Sequence, residues 1–360
     1  MVDEKPTVVV ALSGGVDSSV AAALLVEQGY RVIGMMLRLW CQPGLEQSNQ
    51  CCTPDAMNQA RRVSAILGIP FYVIDAQEQF RQDIVVPFIK DYQAGETPNP
   101  CFSCNRMIRW GFLLSYARAA GADYLASGHY ARIDHGSNGR MHLRKGVDAG
   151  KDQSYVLSGL DQEQLACSLF PVGEFQKTDI RNRARQLNFP VAERPDSQDL
   201  CFLAGQDYRD FLSHYAPDVT KPGPIINKSG DVIGEHAGLA FYTIGQRKGI
   251  GGGSRVPLYV LNKDLKNNAL IIGTADNLGA KNLMTGLINW VSSPPLEVPF
   301  RAEVKVRYKA SPVPADIVPD EDGRLAIAFD RPVRVITPGQ LAVIYQDDLV
   351  IASGKINRSW

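Results

Sequence analysis

Residues 8–19 read Val8-Val9-Val10-Ala11-Leu12-Ser13-Gly14-Gly15-Val16-Asp17-Ser18-Ser19, and the fold turns on them. Val8 to Leu12 is a continuous β-branched and apolar run, the pattern of a strand buried on both faces in a parallel sheet. Ser13, Gly14 and Gly15 end it. Ser18 to Gln28 then reads as a helix, with Val20, Leu24 and Leu25 on one side and Gly29 as its stop. In a strand, turn and helix of this kind, backbone N–H groups and the helix N-terminus converge on one point, which suits an anion. Two glycines allow close backbone approach, Ser13, Ser18 and Ser19 can donate to phosphate oxygens, and Asp17 can hold Mg²⁺ beside them. No Lys follows, so this is not a G-x-x-x-x-G-K-S/T loop. A lone Gly-Gly would be no more than a turn with a Ser or Asp cap; the whole string, directly after the first strand, favours phosphate.

Working outward, a second strand is expected over Arg31–Leu37, then a polar Gln- and Cys-rich loop from Trp40 to Thr53 and a helix from Asp55 to Leu67. Strand Phe71–Ile74, helix Gln79–Tyr92, a Pro-rich loop at 97–100, helix Asn105–Ala120 and strand Tyr124–Ala126 complete an alternating series. Such alternation implies an α/β fold with a doubly wound parallel sheet. Asp134 to Arg140 reads as a hairpin turn, and helices at Gln162–Ala166, Lys177–Leu187 and Asp207–Tyr215 suggest a mainly helical region. Beyond Lys221, short β-rich runs at Leu258–Leu261, Ala269–Ile272, Arg301–Tyr308, Arg324–Phe329 and Gln340–Tyr345 suggest one or two small β-barrels. The expected domains are an α/β domain over 1–132, extending to about 200, a mainly helical central region over 133–220, a β-rich domain over 221–285 and a β-barrel over 286–360.

The 360 residues contain 38 Lys plus Arg and 38 Asp plus Glu, so no global field points to a nucleic acid or a membrane. Any such partner must be met by a local patch. The apolar share of 45% excludes disorder. The N-terminus is acidic and has no signal-peptide pattern, and the apolar runs fall far short of the ~20 residues that span a bilayer, so a cytoplasmic protein is expected. Seven cysteines, an odd number spread over a long chain, are poor evidence for a disulfide framework and leave thiol chemistry or metal binding open.

Residues 97–105 read Thr-Pro-Asn-Pro-Cys-Phe-Ser-Cys-Asn, a rigid approach that places Cys104 at the N-terminus of a helix starting near Asn105. The dipole there, with Arg106 and Arg109 nearby, favours a thiolate nucleophile. Pro195 to Phe202 offers a second cysteine, Cys201, in a polar turn-forming context. Taken singly, Cys101, Cys104 and Cys201 would be small half-buried hydrophobes. Cys41, Cys51 and Cys52 match no tight ligand spacing and read as surface or packing thiols; Cys167 reads as core.

Ser13 to Ser18 resembles the SGGxDS loop of PP-loop enzymes, which adenylate a substrate with ATP and release pyrophosphate, and whose domain is of the adenine nucleotide alpha hydrolase-like kind. With the TPNP run and the three cysteines, the chain is similar to the tRNA-specific 2-thiouridylase family. Ala126–Arg132, Lys151–Tyr155, Asp196–Phe202, Phe241–Gly249, Val306–Tyr308 and Thr337–Gln340 resemble the family's segments in the family's order. The resemblance implies a sulfurtransferase that adenylates the C2 oxygen of a tRNA wobble uridine and replaces it with sulfur. It implies a nucleophile and persulfide carrier at Cys104, a partner at Cys201 that helps release sulfide or closes a disulfide with it, and Asp17 in the catalytic loop. It places ATP against Ala11, Leu12, Ser13, Gly14, Gly15, Val16, Asp17, Ser18, Leu37 and Gly128. It places tRNA against Asn99, Pro100, Cys101, His129, Lys151, Asp152, Gln153, Arg307, Tyr308 and Gln340. The implied partners are tRNAs for Glu, Gln and Lys and a sulfur donor such as a cysteine desulfurase or a sulfur-relay carrier, with no membrane.

Cys101 stands where most of the family carries Asp. Cys101, Cys104 and Cys201 together make three thiolates, which suit a [4Fe–4S] cluster with one open iron, Zn²⁺ or cluster-free persulfide chemistry. For RNA contact, Lys177, Arg181, Arg183 and Arg185 on a predicted helix, and Arg301, Lys305, Arg307 and Lys309 at period two on a predicted strand, are the basic candidates. A PP-loop synthetase or amidotransferase acting on a small molecule would leave the cysteine pair without a purpose. A nucleotide- or RNA-binding module without turnover would need neither the thiol nor Asp17.

Overall fold

The computed structural model describes residues 5–44, 53–137, 139–196, 200–250 and 256–360. Its first sheet is parallel, in the order β3-β2-β1-β4-β7, built from β1 (Thr7–Ala11), β2 (Arg31–Arg38), β3 (Phe71–Asp75), β4 (Tyr124–Ala126) and β7 (Ser168–Leu169). Alternation along β1 sends Val9 to one face and Val8 and Val10 to the other, and all three are fully buried. Val8 and Val10 join Ala22 and Leu25 of α1 (Val16–Glu27) and Ala56 and Ala60 of α2 (Pro54–Leu67). Val9 joins Ile33, Met35, Trp110, Leu113 and Ala117 in a second core on the opposite face. The sheet is therefore covered on both sides, as its apolar strands require.

Two helices depart from expectation. Residues 77–93 form α3, with a widened π-type turn at Arg81–Val85. Residues 100–119 form α4, which begins at Pro100 rather than near Asn105 and carries a π-type stretch over Cys104–Leu113. The physical cause is local: Asn99 caps the helix by accepting from the Phe102 N–H at 3.2 Å, and Pro100 takes the first helical position, where a missing N–H costs nothing. Cys104 accordingly lies beyond the first turn, and Cys101 occupies that turn. The helix dipole acts on Cys101 more than on Cys104.

The expected hairpin is present as β5 (Ala131–His135) and β6 (Met141–Lys145), but it extends the last sheet of the chain: β6 pairs with β17 (Leu349–Ser359) through Arg144 and Leu349. That sheet contains a closed antiparallel barrel of β12 (Ala280–Trp290), β15 (Leu325–Val333), β14 (Val313–Pro319), β13 (Phe300–Lys305), β16 (Leu341–Gln346) and β17, with β12 paired to β17. Its interior is Leu283, Val304, Ile317, Ile327, Phe329 and Ile344. A smaller sheet, β10-β11-β8-β9, joins β8 (Gly223–Ile226), β9 (Val232–His236), β10 (Tyr259–Asp264) and β11 (Ala269–Gly273). The helices α5 (Lys177–Gln186) and α6 (Tyr208–Tyr215) lie between the α/β sheet and this smaller sheet in sequence. No helix among the described residues is long and apolar enough to cross a membrane.

Candidate functional site

A cavity of about 490 Å³ opens at the C-terminal end of β1, lined by residues of the Ser13–Ser18 loop together with Leu37, Cys104, Gly128, His129, Lys151, Gln153 and Tyr308. This is where a parallel α/β sheet offers a ligand site. Ala11 and Leu12 line it as well. The loop is shaped by its glycines: Gly14 has φ +69°, and a Cβ on it would lie 2.3 Å from the Ala56 carbonyl oxygen. Gly15 caps α1 without any side-chain bond, so the first-turn N–H groups of α1 have no side-chain acceptor at the cap. The Ser13 N–H donates to the Ser18 hydroxyl at 3.2 Å, and the Ser18 hydroxyl donates to the Gly15 carbonyl at 3.2 Å. Gly128 packs directly against the loop.

Asp17 lines the cavity with its carboxylate already paired. Lys177 Nζ lies 2.7 Å from both of its carboxylate oxygens, and the Tyr130 hydroxyl donates to it at 2.8 Å. Lys177 also bridges to Asp196 at 2.9 Å, and Lys151 and Arg181 reach the same carboxylate. Burial pushes the Asp196 carboxyl up, but hydrogen bonds from Lys151 and Lys177 outweigh it and hold it at about 2. Burial, then the Asp17 charge, pushes the Tyr130 phenol up, so it stays a donor. Arg194 closes one side by donating to the Gly14 carbonyl at 2.8 Å.

His129 is buried, with Nδ1 2.7 Å from the Ser127 hydroxyl and Nε2 3.0 Å from Arg109. Arg109 can only donate, so Nε2 accepts and the proton sits on Nδ1. Burial, then the Arg109 charge, holds the ring well below its usual pKa of 6.5. The unfolded chain binds this proton below pH 6.5 and the folded one does not, so stability is expected to fall by about 1.4 kcal/mol per pH unit below that point. Urea melts of the native protein and His129→Gln between pH 7.5 and 5 check this; equal pH slopes would refute it.

The Thr97–Asn105 run is held by the last barrel. Gln340 donates to the carbonyls of Thr97 at 3.0 Å and Pro98 at 3.1 Å, and the Thr97 N–H donates to the Pro338 carbonyl at 3.0 Å. Gly339, at φ +92°, leaves no room for a Cβ, which would lie 2.8 Å from Thr97 N and O. Gly339→Ala is expected to shift the Asn99–Cys101 turn and lower activity about 10²-fold. Turnover read beside a thermal melt tests it, and native turnover would show that the turn does not depend on its contact with the last barrel.

Cys104 and Cys201 pack on one core, beside Ile108, Phe202 and Leu203. Cys101 is exposed. Among the described residues no group of three His, Cys, Asp or Glu is placed to hold a metal ion. The three-thiolate set for a [4Fe–4S] cluster is thus not assembled: Cys101 sits on the outer first turn of α4, whereas Cys104 and Cys201 are half-buried. Asp152 directs its carboxylate inward, accepting from the N–H groups of Gly146 and Ser154 and from the Ser154 hydroxyl. The basic candidates are largely paired within the chain. Arg301 bonds Asp316 and Asp330, Arg183 bonds Glu27 and Arg185 bonds Glu193. Lys305 lies over the rings of Tyr155 and Tyr308, and Arg307 and Lys309 follow the end of β13 in a turn rather than continuing its face. Cys167 is half-buried and receives an Arg118 hydrogen bond at 3.4 Å, Cys41 is half-buried, and Cys51, Cys52 and Ser197–Asp199 lie outside the described residues.

Sequence reasoning missed Lys177 as a site residue, having placed it on a basic helix face, and missed Tyr130, Arg194 and Ser127. The 160-residue separation between Asp17 and Lys177 left no local signal. The glycine-serine loop at the end of β1 marks a nucleotide-binding α/β domain. Residues 6–205 match the family model described as a tRNA methyl transferase HUP domain, 209–274 the tRNA methyl transferase PRC-barrel domain, and 280–356 the aminomethyltransferase beta-barrel domain. The chain is 47% identical to the tRNA-specific 2-thiouridylase MnmA of Heliobacterium modesticaldum, over 99% of this chain and 93% of that protein. It is 45% identical to that of Natranaerobius thermophilus, over 97% and 96%. It belongs to the tRNA-specific 2-thiouridylase family. A solved NMN synthetase from Francisella tularensis aligns at a TM-score of 0.34 and 17% identity, over 60% of this chain and 78% of that one, too remote to bear on function.

Proposed function

We propose that the protein is an ATP-dependent tRNA sulfurtransferase that converts a wobble uridine to 2-thiouridine. One observation carries the reading: the Ser13–Ser18 loop and Cys104 line the same cavity, so an activated oxygen and a sulfur carrier can meet there. In this reading Ala11 to Ser18, Leu37 and Gly128 hold ATP. The uridine O2 attacks the α-phosphorus, the N3 proton leaves to solvent, and the bond to the β-phosphate oxygen breaks to release pyrophosphate. The terminal sulfur of a Cys104 persulfide then attacks C2 and AMP departs. The Cys201 thiolate attacks Cys104 Sγ, forming a disulfide and releasing the nucleobase sulfur, and N3 regains a proton. A thiol reductant resets the disulfide.

Asn99, Pro100 and Cys101 would surround the target base, with His129, Lys151, Gln153, Arg307 and Tyr308 as further tRNA-facing positions; Asp152 and Gln340 would act from behind, holding the Gly146–Ser154 and Thr97–Pro98 backbone. The acceptors would be tRNAs for Glu, Gln and Lys, and a cysteine desulfurase or relay carrier would load Cys104. The matching models carry methyl-transfer descriptions, but a loop suited to phosphate and two thiols on one core fit adenylation and sulfur exchange. Incubation with Mg-ATP, a persulfide source and unmodified tRNA, followed by digestion and mass spectrometry, should yield 2-thiouridine. Pyrophosphate release without sulfur incorporation would keep the loop's role and overturn the sulfur route.

A further inference from the structure

Arg109 differs from Lys151, Lys177 and Arg194, which line the same cavity and each meet a carboxylate, Asp196, Asp17 and Asp55 in turn. Arg109 is held by neutral groups. Its Nη1 donates to Asn105 Oδ1 at 2.9 Å and to His129 Nε2 at 3.0 Å, and no carboxylate among the described residues pairs with it. Both acceptors are fixed in turn, Asn105 by donating to the Val156 carbonyl at 3.1 Å and His129 by its 2.7 Å bond with Ser127. The guanidinium is firmly placed, while Nε and Nη2 make no hydrogen bond among the described residues.

Two tethers set where those donors lie. Arg109 follows Cys104 by five residues within the π-type stretch Cys104–Leu113, where residues five apart are joined by the backbone hydrogen bond and share a face, and both side chains line the cavity. On its other side, His129 follows Gly128, which faces the start of α1 so closely that a Cβ there would lie 2.5 Å from the Ser18 nitrogen. Arg109 therefore stands between the thiol and the phosphate loop, where an adenylate under attack by sulfur would carry its phosphate. We propose that Arg109 is a catalytic residue that binds the α-phosphate of the adenylated uridine and stabilises AMP as it leaves. This deepens the adenylation reading above and rests on it. The persulfide sulfur bonds to C2, the bond from C2 to the phosphate-bearing oxygen breaks, and its electron pair stays on AMP. The Arg109 charge faces an anion growing more negative, so the contact strengthens toward the transition state. Arg109 gives up no proton, and its planar fork can hold two phosphate oxygens at once.

The test measures binding of AMP and of adenosine to the full chain without tRNA, by calorimetry, in native protein, Arg109→Gln and Arg109→Lys. Arg109→Gln keeps an amide donor for Asn105 and His129 but no charge, and it should weaken AMP about 10–100-fold while adenosine binds as before. With tRNA, ATP and a persulfide source, the same variant should form 2-thiouridine about 10²–10³-fold more slowly. A guanidinium that only fastens α4 to His129 would lower the melting temperature and weaken both ligands alike, and one that only holds Cys104 as thiolate would slow its alkylation by iodoacetamide and leave AMP binding unmoved; either result overturns the proposal. Should Arg109→Gln fail to fold, Arg109→Lys decides, because it keeps the charge and loses the fork: AMP binding weakened at least about threefold with adenosine unchanged is expected, and native AMP affinity overturns it. If native protein forms no AMP from ATP and tRNA, the adenylation reading falls and takes the proposal with it; AMP formation at native rate beside unaltered AMP binding in Arg109→Gln sinks the proposal alone.

Discussion

Cys104→Ser is expected to abolish 2-thiouridine formation, by at least about 10³-fold, while tRNA-dependent release of pyrophosphate continues. Cys104 lines the cavity but makes no part of the Ser13–Ser18 loop, so its loss leaves the phosphate contacts in place. A serine hydroxyl cannot carry sulfane sulfur, and no other thiol among Cys41, Cys101, Cys167 and Cys201 lines that cavity. Mass spectrometry of digested tRNA beside a pyrophosphate assay reads both steps. Cys201→Ser should behave differently: transfer to C2 proceeds, but the disulfide to Cys104 Sγ persists, so tRNA stays covalently attached and is freed by dithiothreitol. Native levels of 2-thiouridine from Cys104→Ser would remove Cys104 from the chemistry.

Gly128→Ala should damage the loop severely through a single added methyl group. The added Cβ would lie 2.5 Å from the Ser18 nitrogen, 2.6 Å from the Asp17 carbonyl carbon and 2.9 Å from Asp17 Cβ. Two of these are backbone atoms at the start of α1, where no rotamer change gives relief. The loop must move, and a displacement near 1 Å can lower a rate about 10²-fold. Overpacking of this kind also costs about 1–3 kcal/mol of stability. Turnover at saturating ATP, read beside a thermal melt, separates the two effects. Native turnover would show that the loop and β4 do not need their present spacing.

Much of the α/β half was legible because its signals are local. The apolar run of β1, the turn after it and the apolar stripe of α1 each lie within a few residues. The start of α4 was misplaced: Asn99-Pro100 is a cap followed by a proline at the first helical position, but the Pro-rich run was read as an extended approach to a helix starting near Asn105. The barrels were harder. β8, β9, β14 and β17 carry Gly, Pro, Ser and charged residues, and their strands exist because neighbours pair with them. The period-two reading of Arg301 and Lys305 found the strand but not Asp316, its cross-strand partner, which neutralises Arg301. Lys177 was visible as a cation, yet the carboxylates it pairs with, Asp17 and Asp196, belong to segments brought together only by the fold.

The β5–β6 hairpin has a consequence for how the protein is made. Arg132 and Arg144 both hold Asp348, and Lys145 donates to the Asp347 carbonyl, so the hairpin that follows Gly128 and Tyr130 is fixed by residues synthesised some two hundred positions later. Tyr345 likewise meets Ser154, and the Leu341 carbonyl accepts from Tyr155. A nascent chain can form β1 and the phosphate loop early, but the wall bearing His129 and Lys151 stays unsupported until β16 and β17 emerge from the ribosome. Premature termination within that stretch would therefore release a chain with an intact phosphate loop beside an unfinished cavity, and quality control would meet it as a misfolded protein rather than a partly active enzyme.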